Sequence, residues 1–171
     1  MEQELTLTNE GGRPRHRVLV LDCDGTLWHG VVGEVGLSGL ELNPEFEPGC
    51  HYYRFQERVL ELQAAGTLLA LNSKNDLEDV LEVLRSHPDC LIKEGHLASF
   101  RVNWQDKASN LREIADELNL PLESFVFVDD CDSECETVRS QLPSVTVIQV
   151  PSIANELPSL LDQTSLGALK V

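Results

Sequence analysis

Short apolar runs alternate along the chain with longer segments in which apolar residues recur every three or four positions. Runs of this length are typical of strands buried on both faces of a sheet, and they cover residues 17–22, 67–72, 125–129 and 145–150. The periodic segments predict amphipathic helices over residues 51–65, 76–86, 107–118 and 132–142. Because strands and helices alternate, the pattern predicts an α/β fold.

Strand–helix–strand units of this kind are right-handed, and they build a parallel sheet with helices on both faces. We therefore expect a Rossmann-like three-layer sandwich with a parallel central sheet, as a single domain over residues 16–165 after a flexible tail over 1–15. Residues 27–46 are apolar and punctuated by glycine, which predicts a small flap or bent hairpin after the first strand. The segment after Pro151 is expected to form a last helix with a frayed end.

Composition narrows the classes of protein to consider. The formal net charge of -16 repels polyanions, so we expect no nucleic acid partner. The longest apolar stretches have the length of a strand, and we expect no membrane span. The acidic and polar start lacks the pattern of a secretory signal, which favours a cytoplasmic protein. The five cysteines are then expected to be free thiols.

Acidic side chains follow two of the predicted strands. Asp22 and Asp24 come at the end of the first strand, and Asp129 and Asp130 end the strand over 125–129. Ligands bind parallel α/β sheets at this edge, and four carboxylates there would repel one another unless a cation lay among them. We predict a Mg²⁺ site with these four ligands, because Mg²⁺ prefers oxygen. The alternatives are a strand-end turn and a helix N-cap.

Hydroxyl and basic side chains near the same edge could bind a phosphoryl group. Ser73 and Lys74 follow the second predicted strand, and Lys107 begins a predicted helix. A hydroxyl and two ammonium groups are suitable donors to phosphoryl oxygens. Taken one at a time, each of these residues is more often a helix cap or a solvated surface charge.

The order Asp-x-Asp-Gly-Thr, strand-end Ser, Lys at a helix start and strand-end Asp-Asp resembles the four-part signature of the haloacid dehalogenase-like (HAD) superfamily. The resemblance spans roughly residues 17–150. It implies that Asp22 is a nucleophile that forms an aspartyl phosphate and that Asp24 is the general acid and base. It also implies that Ser73 and Lys107 hold the phosphate while Asp129 binds Mg²⁺.

Four longer stretches are similar to the FkbH-like branch of that superfamily: Leu-Asp-Cys-Asp-Gly-Thr-Leu-Trp-His-Gly-Val-Val-Gly-Glu-Val-Gly, Leu-Asn-Ser-Lys-Asn-Asp, Phe-Arg-Val-Asn-Trp-Gln-Asp-Lys and Phe-Val-Phe-Val-Asp-Asp. This resemblance implies an enzyme of polyketide biosynthesis that takes a glyceryl unit from 1,3-bisphosphoglycerate. The unit would be held as a thioester on an enzyme cysteine, lose its phosphate, and pass to the phosphopantetheine thiol of an acyl carrier protein.

Two cysteines are candidates for that thioester. Cys23 lies between the two aspartates, and the resemblance favours it, although strand alternation points its side chain away from theirs and toward the core. Cys131 follows Asp130 at a predicted helix N-terminus, where the helix dipole favours a thiolate. The sequence departs from the branch at Gly25, where Asn is usual, and at 131–133, where Asn-Pro-Ala is common.

The remaining candidates are expected to bind phosphate or substrate: Thr26, Trp28, Asn75 and Arg101. His29 and Trp104 lie in the same family-like stretches and could shuttle a proton or line the acyl pocket, with core aromatics and surface charges as the alternative. A plain Mg²⁺-dependent phosphatase, in which every cysteine is structural, is the second hypothesis. A degenerate domain that serves only as an interaction module is the third.

Overall fold

The computed structural model describes residues 15–166, so nearly all of the predicted tail lies outside the described residues. Five parallel strands form one sheet in the order β3-β2-β1-β4-β5. They are β1 (Val18–Leu21), β2 (Leu68–Ser73), β3 (Leu97–Val102), β4 (Phe125–Asp129) and β5 (Thr146–Gln149). β1 lies at the centre, with Leu21 paired to Leu71 on one side and to Val128 on the other.

Five helices cover the two faces of the sheet: α1 (Val32–Gly39), α2 (Gly49–Ala64), α3 (Leu77–Ser86), α4 (Lys107–Leu118) and α5 (Asp132–Gln141). Leu19 and Leu21 of β1 pack in one apolar cluster with α1, α2 and α3. Val18 and Val20 point to the opposite face, where they pack with α4 and α5. The predicted three-layer α/β sandwich is confirmed.

The start of α4 explains how Lys107 reaches the carboxyl edge of the sheet. The side chain of Asp106 accepts a hydrogen bond from the backbone N–H of Ser109 and caps α4, which places Lys107 in the first turn. At the other end, Asn119 ends the helix in the left-handed conformation at φ +54°. The helix therefore begins beside the ends of the strands and returns along the sheet.

β3 was not predicted, because it is an edge strand whose residues alternate between buried and exposed positions. Phe100 is 41% exposed, so the segment lacks the continuous burial that makes the central strands visible as apolar runs. The last predicted helix is also wrong in type. Two short 3₁₀ helices, Ala154–Glu156 and Leu160–Gln163, follow Pro151, and they bury Leu157 and Leu161 against the core.

The segment that was predicted to form a flap or bent hairpin folds back on itself, and it contains a helix. His29 and Glu41 pair as an antiparallel bridge, and α1 lies between them. Gly36 interrupts α1 with φ +69°, which is the conformation that glycine adopts without strain. Within residues 15–166, no helix is both long and apolar enough to cross a membrane.

Candidate active site

The chain reverses its direction across the sheet at β1. From β1 it proceeds to β2 and β3 on one side, and then returns to β4 and β5 on the other. A crevice forms outside the carboxyl ends of parallel strands at such a switch point. A cavity of about 450 Å³ lies there, and Asp24, Gly25, His29, Tyr52 and Asp130 are among its lining residues.

Three carboxylates converge at this edge. Asp22, Asp129 and Asp130 each offer an oxygen, and these atoms all lie within 4.8 Å of one another. Nζ of Lys107 lies 3.2 Å from Oδ1 of Asp22 and 2.5 Å from Oδ2 of Asp129. When all three carboxylates are ionised, they and the one ammonium carry an excess of two negative charges. An all-oxygen donor set with that charge fits a hard divalent cation such as Mg²⁺.

Burial and the neighbouring charges together set the pKa values of these groups. It raises the pKa of Asp22 well above its usual value; the charge of Lys107 opposes that rise, and the nearby carboxylates add to it. Burial and the charge of Asp129 likewise raise the pKa of Asp130. For Lys107, burial acts to lower the pKa, but Asp22 and Asp129 outweigh it and raise the pKa above the ordinary lysine value. Lys107 is therefore a permanent cation of the site.

Gly25 makes room for one of the carboxylates. A Cβ at this position would lie 2.7 Å from Cγ of Asp130 and closer still to its Oδ2, and the backbone has φ +73°. Any larger residue would therefore displace Asp130 as well as strain the turn. This close approach gives a physical reason for glycine at position 25.

Asp24 occupies a separate position beside the cluster. Its Oδ1 accepts hydrogen bonds from Nε1 of Trp28 at 2.8 Å and from the backbone N–H of Val32 at 3.0 Å. Its Oδ2 accepts from Nδ2 of Asn75 at 2.8 Å. The side-chain geometry therefore does not support the prediction that the Asp24 carboxylate joins the metal ligands. Three hydrogen-bond donors instead orient this carboxylate at the cavity wall.

The predicted phosphate-binding residues come together only in part. Ser73 and Asn75 are buried beside Asp24, with Nδ2 of Asn75 donating to Oγ of Ser73 at 3.2 Å. Lys74 pairs instead with Glu134 of α5 at 2.7 Å. Thr26 is fully buried, and its hydroxyl has no hydrogen-bond partner among the residues that the structure describes.

Three residues predicted to bind substrate or to line its pocket lie elsewhere. Trp28 is fully buried in the core, so it does not line the cavity, and its indole N–H serves to orient Asp24. Arg101 is on the edge strand β3, where its guanidinium pairs with Glu117 of α4 at 2.7 Å. Trp104 is 69% exposed and donates to Asp76 at 3.0 Å. The sequence could not place Arg101, because sequence similarity does not report which strand lies at the edge of the sheet.

The two candidate cysteines differ in exposure. Cys23 is 0% exposed and packs in the same cluster as Leu19 and Leu21, as strand alternation predicts. Burial and the charge of Asp22 raise the pKa of its thiol well above the ordinary value. The burial of Cys23 therefore does not favour the prediction that it carries an acyl group from the cavity. Cys131 is exposed at the start of α5, and its backbone N–H donates to Oδ1 of Asp129 at 2.9 Å.

Two further features of the site were not predicted. Asn72 donates from Nδ2 to the backbone carbonyl of Lys107 at 3.0 Å and accepts from Nδ2 of Asn110 at 3.0 Å, which fixes the first turn of α4. Nδ1 of His29 contacts Glu41 at 2.6 Å on the flap, and its ring stands edge-on to Tyr52. The sequence shows that Asn72 is a polar residue at a strand end, but it does not show that this residue contacts α4.

Solved structures resemble this chain across most of its length. The N-terminal part of protein BF1531 from Bacteroides fragilis, containing a phosphatase domain complexed with Mg, is 34% identical and superposes with a TM-score of 0.85. The fold is that of HAD-family phosphatases. The match covers 88% of this chain and 40% of that chain, so this chain spans less than half of the relative's length.

More distant structures with the HAD fold are also similar. A predicted HAD-like hydrolase from Porphyromonas gingivalis has 12% identity and a TM-score of 0.58, over 86% of this chain and 97% of that chain. The 3-deoxy-D-manno-octulosonate 8-phosphate phosphatase from Moraxella catarrhalis has 14% identity and a TM-score of 0.53, over 85% and 74%. These two show the fold alone. No protein-family model matches the chain, and no curated protein matches it.

Proposed function

We propose that this chain is a Mg²⁺-dependent phosphatase that forms a phosphoryl intermediate on Asp22. The observation that carries the proposal is the convergence of the carboxyl groups of Asp22, Asp129 and Asp130, with Lys107 as their cationic partner. The Mg complex of the BF1531 phosphatase domain supports the choice of cation. Asp22, Asp129 and Asp130 would hold the ion, which supplies charge stabilisation to the transferring phosphoryl group.

In this proposal a carboxylate oxygen of Asp22 attacks phosphorus, and the bond from phosphorus to the leaving oxygen breaks. Asp24 gives its proton to that oxygen, so the alcohol leaves neutral. Asp24 then takes a proton from a water molecule, whose oxygen attacks the phosphorus of the aspartyl phosphate. The phosphorus–Asp22 bond breaks, which releases phosphate and restores Asp22.

The surrounding residues support these roles by orientation. Three donors fix the Asp24 carboxylate at the cavity wall, where it can reach a leaving oxygen. Lys107 and Ser73 are the donors proposed for the phosphoryl oxygens. The cavity of about 450 Å³ suits a small phosphorylated metabolite. His29 also lines this cavity.

The test is Mg²⁺-dependent release of phosphate from p-nitrophenyl phosphate and from a panel of three-carbon to six-carbon sugar phosphates. We expect turnover that EDTA abolishes and that Asp22→Asn reduces by at least about 10³-fold. Cys23→Ala should retain turnover, because the thiol is outside the mechanism. Mg²⁺-dependent turnover by Asp22→Asn at the wild-type rate would refute the proposed nucleophile.

The acyl transfer implied by the FkbH-like resemblance is a second candidate. Its partners would be 1,3-bisphosphoglycerate and an acyl carrier protein. The exposed thiol of Cys131, next to the carboxylate cluster, is the observation that favours it. The thiolate would attack the acyl carbon, the acyl phosphate bond would break with release of phosphate, and a carrier thiol would then displace Cys131 from the thioester.

Intact-protein mass after incubation with 1,3-bisphosphoglycerate separates the two functions. A glyceryl or phosphoglyceryl adduct that Cys131→Ala abolishes, and that transfers to a pantetheinylated carrier, would establish acyl transfer. No cysteine adduct, together with phosphate release from simple monoesters, would establish the phosphatase. An adduct lost only in Cys23→Ala would contradict the burial of that thiol.

A further inference from the structure

A second group of metal-ligating side chains lies at the start of α2, outside the carboxylate cluster. Glu47, Cys50 and His51 each offer one ligand atom, and these atoms all lie within 4.8 Å of one another. Nε2 of His51 lies 3.2 Å from Oε1 of Glu47. Glu47 lies in the turn before α2, and Cys50 and His51 lie in the first turn of that helix, so the end of one turn and the start of α2 bring the three ligand atoms together.

The turn that carries these residues is held in place by its neighbours. A Cβ at Gly49 would lie 2.7 Å from the backbone nitrogen of Leu42 and 2.8 Å from that of Asn43, so α2 begins in direct contact with this segment. The backbone N–H of Cys50 donates to the carbonyl of Phe46 at 2.8 Å. A ligand group fixed in this way loses little conformational entropy when it binds an ion.

The thiol of Cys50 is an independent indication of a ligand. Its residue is only 9% exposed, yet no hydrogen bond to its sulfur is found within residues 15–166. The buried thiols of Cys90 and Cys135 donate to the backbone carbonyls of Ile92 and Asp129, and that of Cys23 lies beside the Ser73 hydroxyl. Cys50 is therefore a buried polar group without a partner in the described part of the chain, and its sulfur lies toward Glu47 and His51.

The chemistry of the three groups differs from that of the active site. One sulfur, one imidazole nitrogen and one carboxylate oxygen form a donor set that favours Zn²⁺ over Mg²⁺, whereas the carboxylate cluster favours Mg²⁺. The helix dipole places roughly half a positive charge at the N-terminus of α2, which opposes the binding of a cation here. Ionised Glu47 and Cys50 would supply two negative charges, which outweigh it.

We propose that Glu47, Cys50 and His51 form a binding site for a thiophilic divalent cation of the Zn²⁺ type, with one coordination position open. The carboxylate of Glu47 is 79% exposed, so an ion can approach from solvent. Glu47 also lines a cavity of about 640 Å³ together with Glu41, the partner of His29 on the flap.

Co²⁺ is the probe, because a cobalt–thiolate bond gives a charge-transfer band in the near ultraviolet and a tetrahedral site gives intense visible bands. The full chain is titrated with Co²⁺ in excess Mg²⁺, which occupies the carboxylate cluster. We expect a thiolate band that saturates at one Co²⁺ per chain and disappears when Zn²⁺ is added. Absence of that band in the wild-type chain would refute the site.

Matched variants assign the band. Cys50→Ser should abolish it, and His51→Gln, which leaves the buried thiol in place, should weaken Co²⁺ binding at least about tenfold. Cys131→Ser, which removes an exposed thiol elsewhere, should leave the band unchanged. Retention of the band in Cys50→Ser, or its loss in Cys131→Ser, would overturn the assignment. None of these absorption measurements requires phosphatase activity. They would therefore stay valid if the protein proved not to be a phosphatase.

Discussion

Nζ of Lys107 lies 3.2 Å from Oδ1 of Asp22, and both side chains are less than one-tenth exposed. This pair joins the first turn of α4 to the end of the central strand. Because Lys107 also contacts Asp129, it holds together two of the three carboxylates that define the candidate metal site. Lys107 is thus expected to contribute both to the free energy of unfolding and to the proposed reaction.

We expect Lys107→Met to leave two buried carboxylates without their cation. Removal of one partner of a buried ion pair costs about 3–5 kcal/mol, so the free energy of unfolding in urea should fall by about that amount without Mg²⁺. The loss of a phosphoryl-oxygen donor should also lower kcat/KM by about 10²–10³-fold.

Lys74→Met is the matched control for that variant. Lys74 forms a partly exposed ion pair with Glu134, and such pairs contribute only about 0–1 kcal/mol. Equal losses of stability in the two variants would contradict the special position of Lys107.

We expect Gly25→Ala to weaken Mg²⁺ binding, measured by calorimetry, by at least about tenfold. Its Cβ would overlap the carboxylate of Asp130, so this group must leave the cluster. Gly66→Ala is the control, because Gly66 has φ +113° but a Cβ there would meet no atom within 4 Å. Both variants should lose about 1–2 kcal/mol of stability through backbone strain. Undiminished Mg²⁺ affinity in Gly25→Ala would show that Asp130 is not a ligand.

We expect Trp28→Phe to lower kcat about tenfold with little change in KM. The substitution keeps an aromatic ring in the core but removes the 2.8 Å hydrogen bond that orients Asp24, a bond to a charged group that is worth about 1.5–3 kcal/mol. Trp104→Phe removes a similar indole bond, to Asp76 on the exposed surface. Steady-state kinetics should show the second variant within about twofold of wild type, and a rise in KM alone for Trp28→Phe would instead indicate substrate binding.

The ring of His16 predicts a loss of stability in acid. The backbone N–H of Ser165 donates to Nδ1 at 3.2 Å, so the neutral ring carries its proton on Nε2, which lies 2.9 Å from Oγ1 of Thr146. Burial, and then the charge of Arg15, lower the pKa of His16. The folded chain thus binds fewer protons than the unfolded chain. Stability from this residue is present above the unfolded value of about 6.5 and is lost as the pH falls below it, toward the folded pKa.

Urea unfolding at about pH 7.5 and about pH 5.5 measures this contribution. The wild-type chain should lose more stability between these values than His16→Asn, which lacks the titrating ring. His96→Asn, at a partly exposed position, should keep the wild-type difference. An unchanged difference in His16→Asn would rule out His16 as the source of the acid sensitivity.

The sequence by itself determined the layer structure and the chemistry at the end of β1. Alternating apolar runs and helical periodicity are local consequences of burial, and they predicted four of the strands and α2 to α5 within a few residues. The position of Asp22 at a strand end placed it at the ligand-binding edge. Strand alternation also predicted that Cys23 points into the core, as it does.

Only the tertiary structure decided which distant groups meet. The order of the strands put Arg101 on an edge and brought β4 beside β1, so that Lys107 lies between Asp22 and Asp129. Hydrogen bonds from Trp28, Val32 and Asn75 hold the Asp24 carboxylate outside the group of the other three. Periodicity indicates which face of its helix or strand each residue occupies. The contacts between distant groups depend instead on strand order, register and helix packing, which no local pattern encodes.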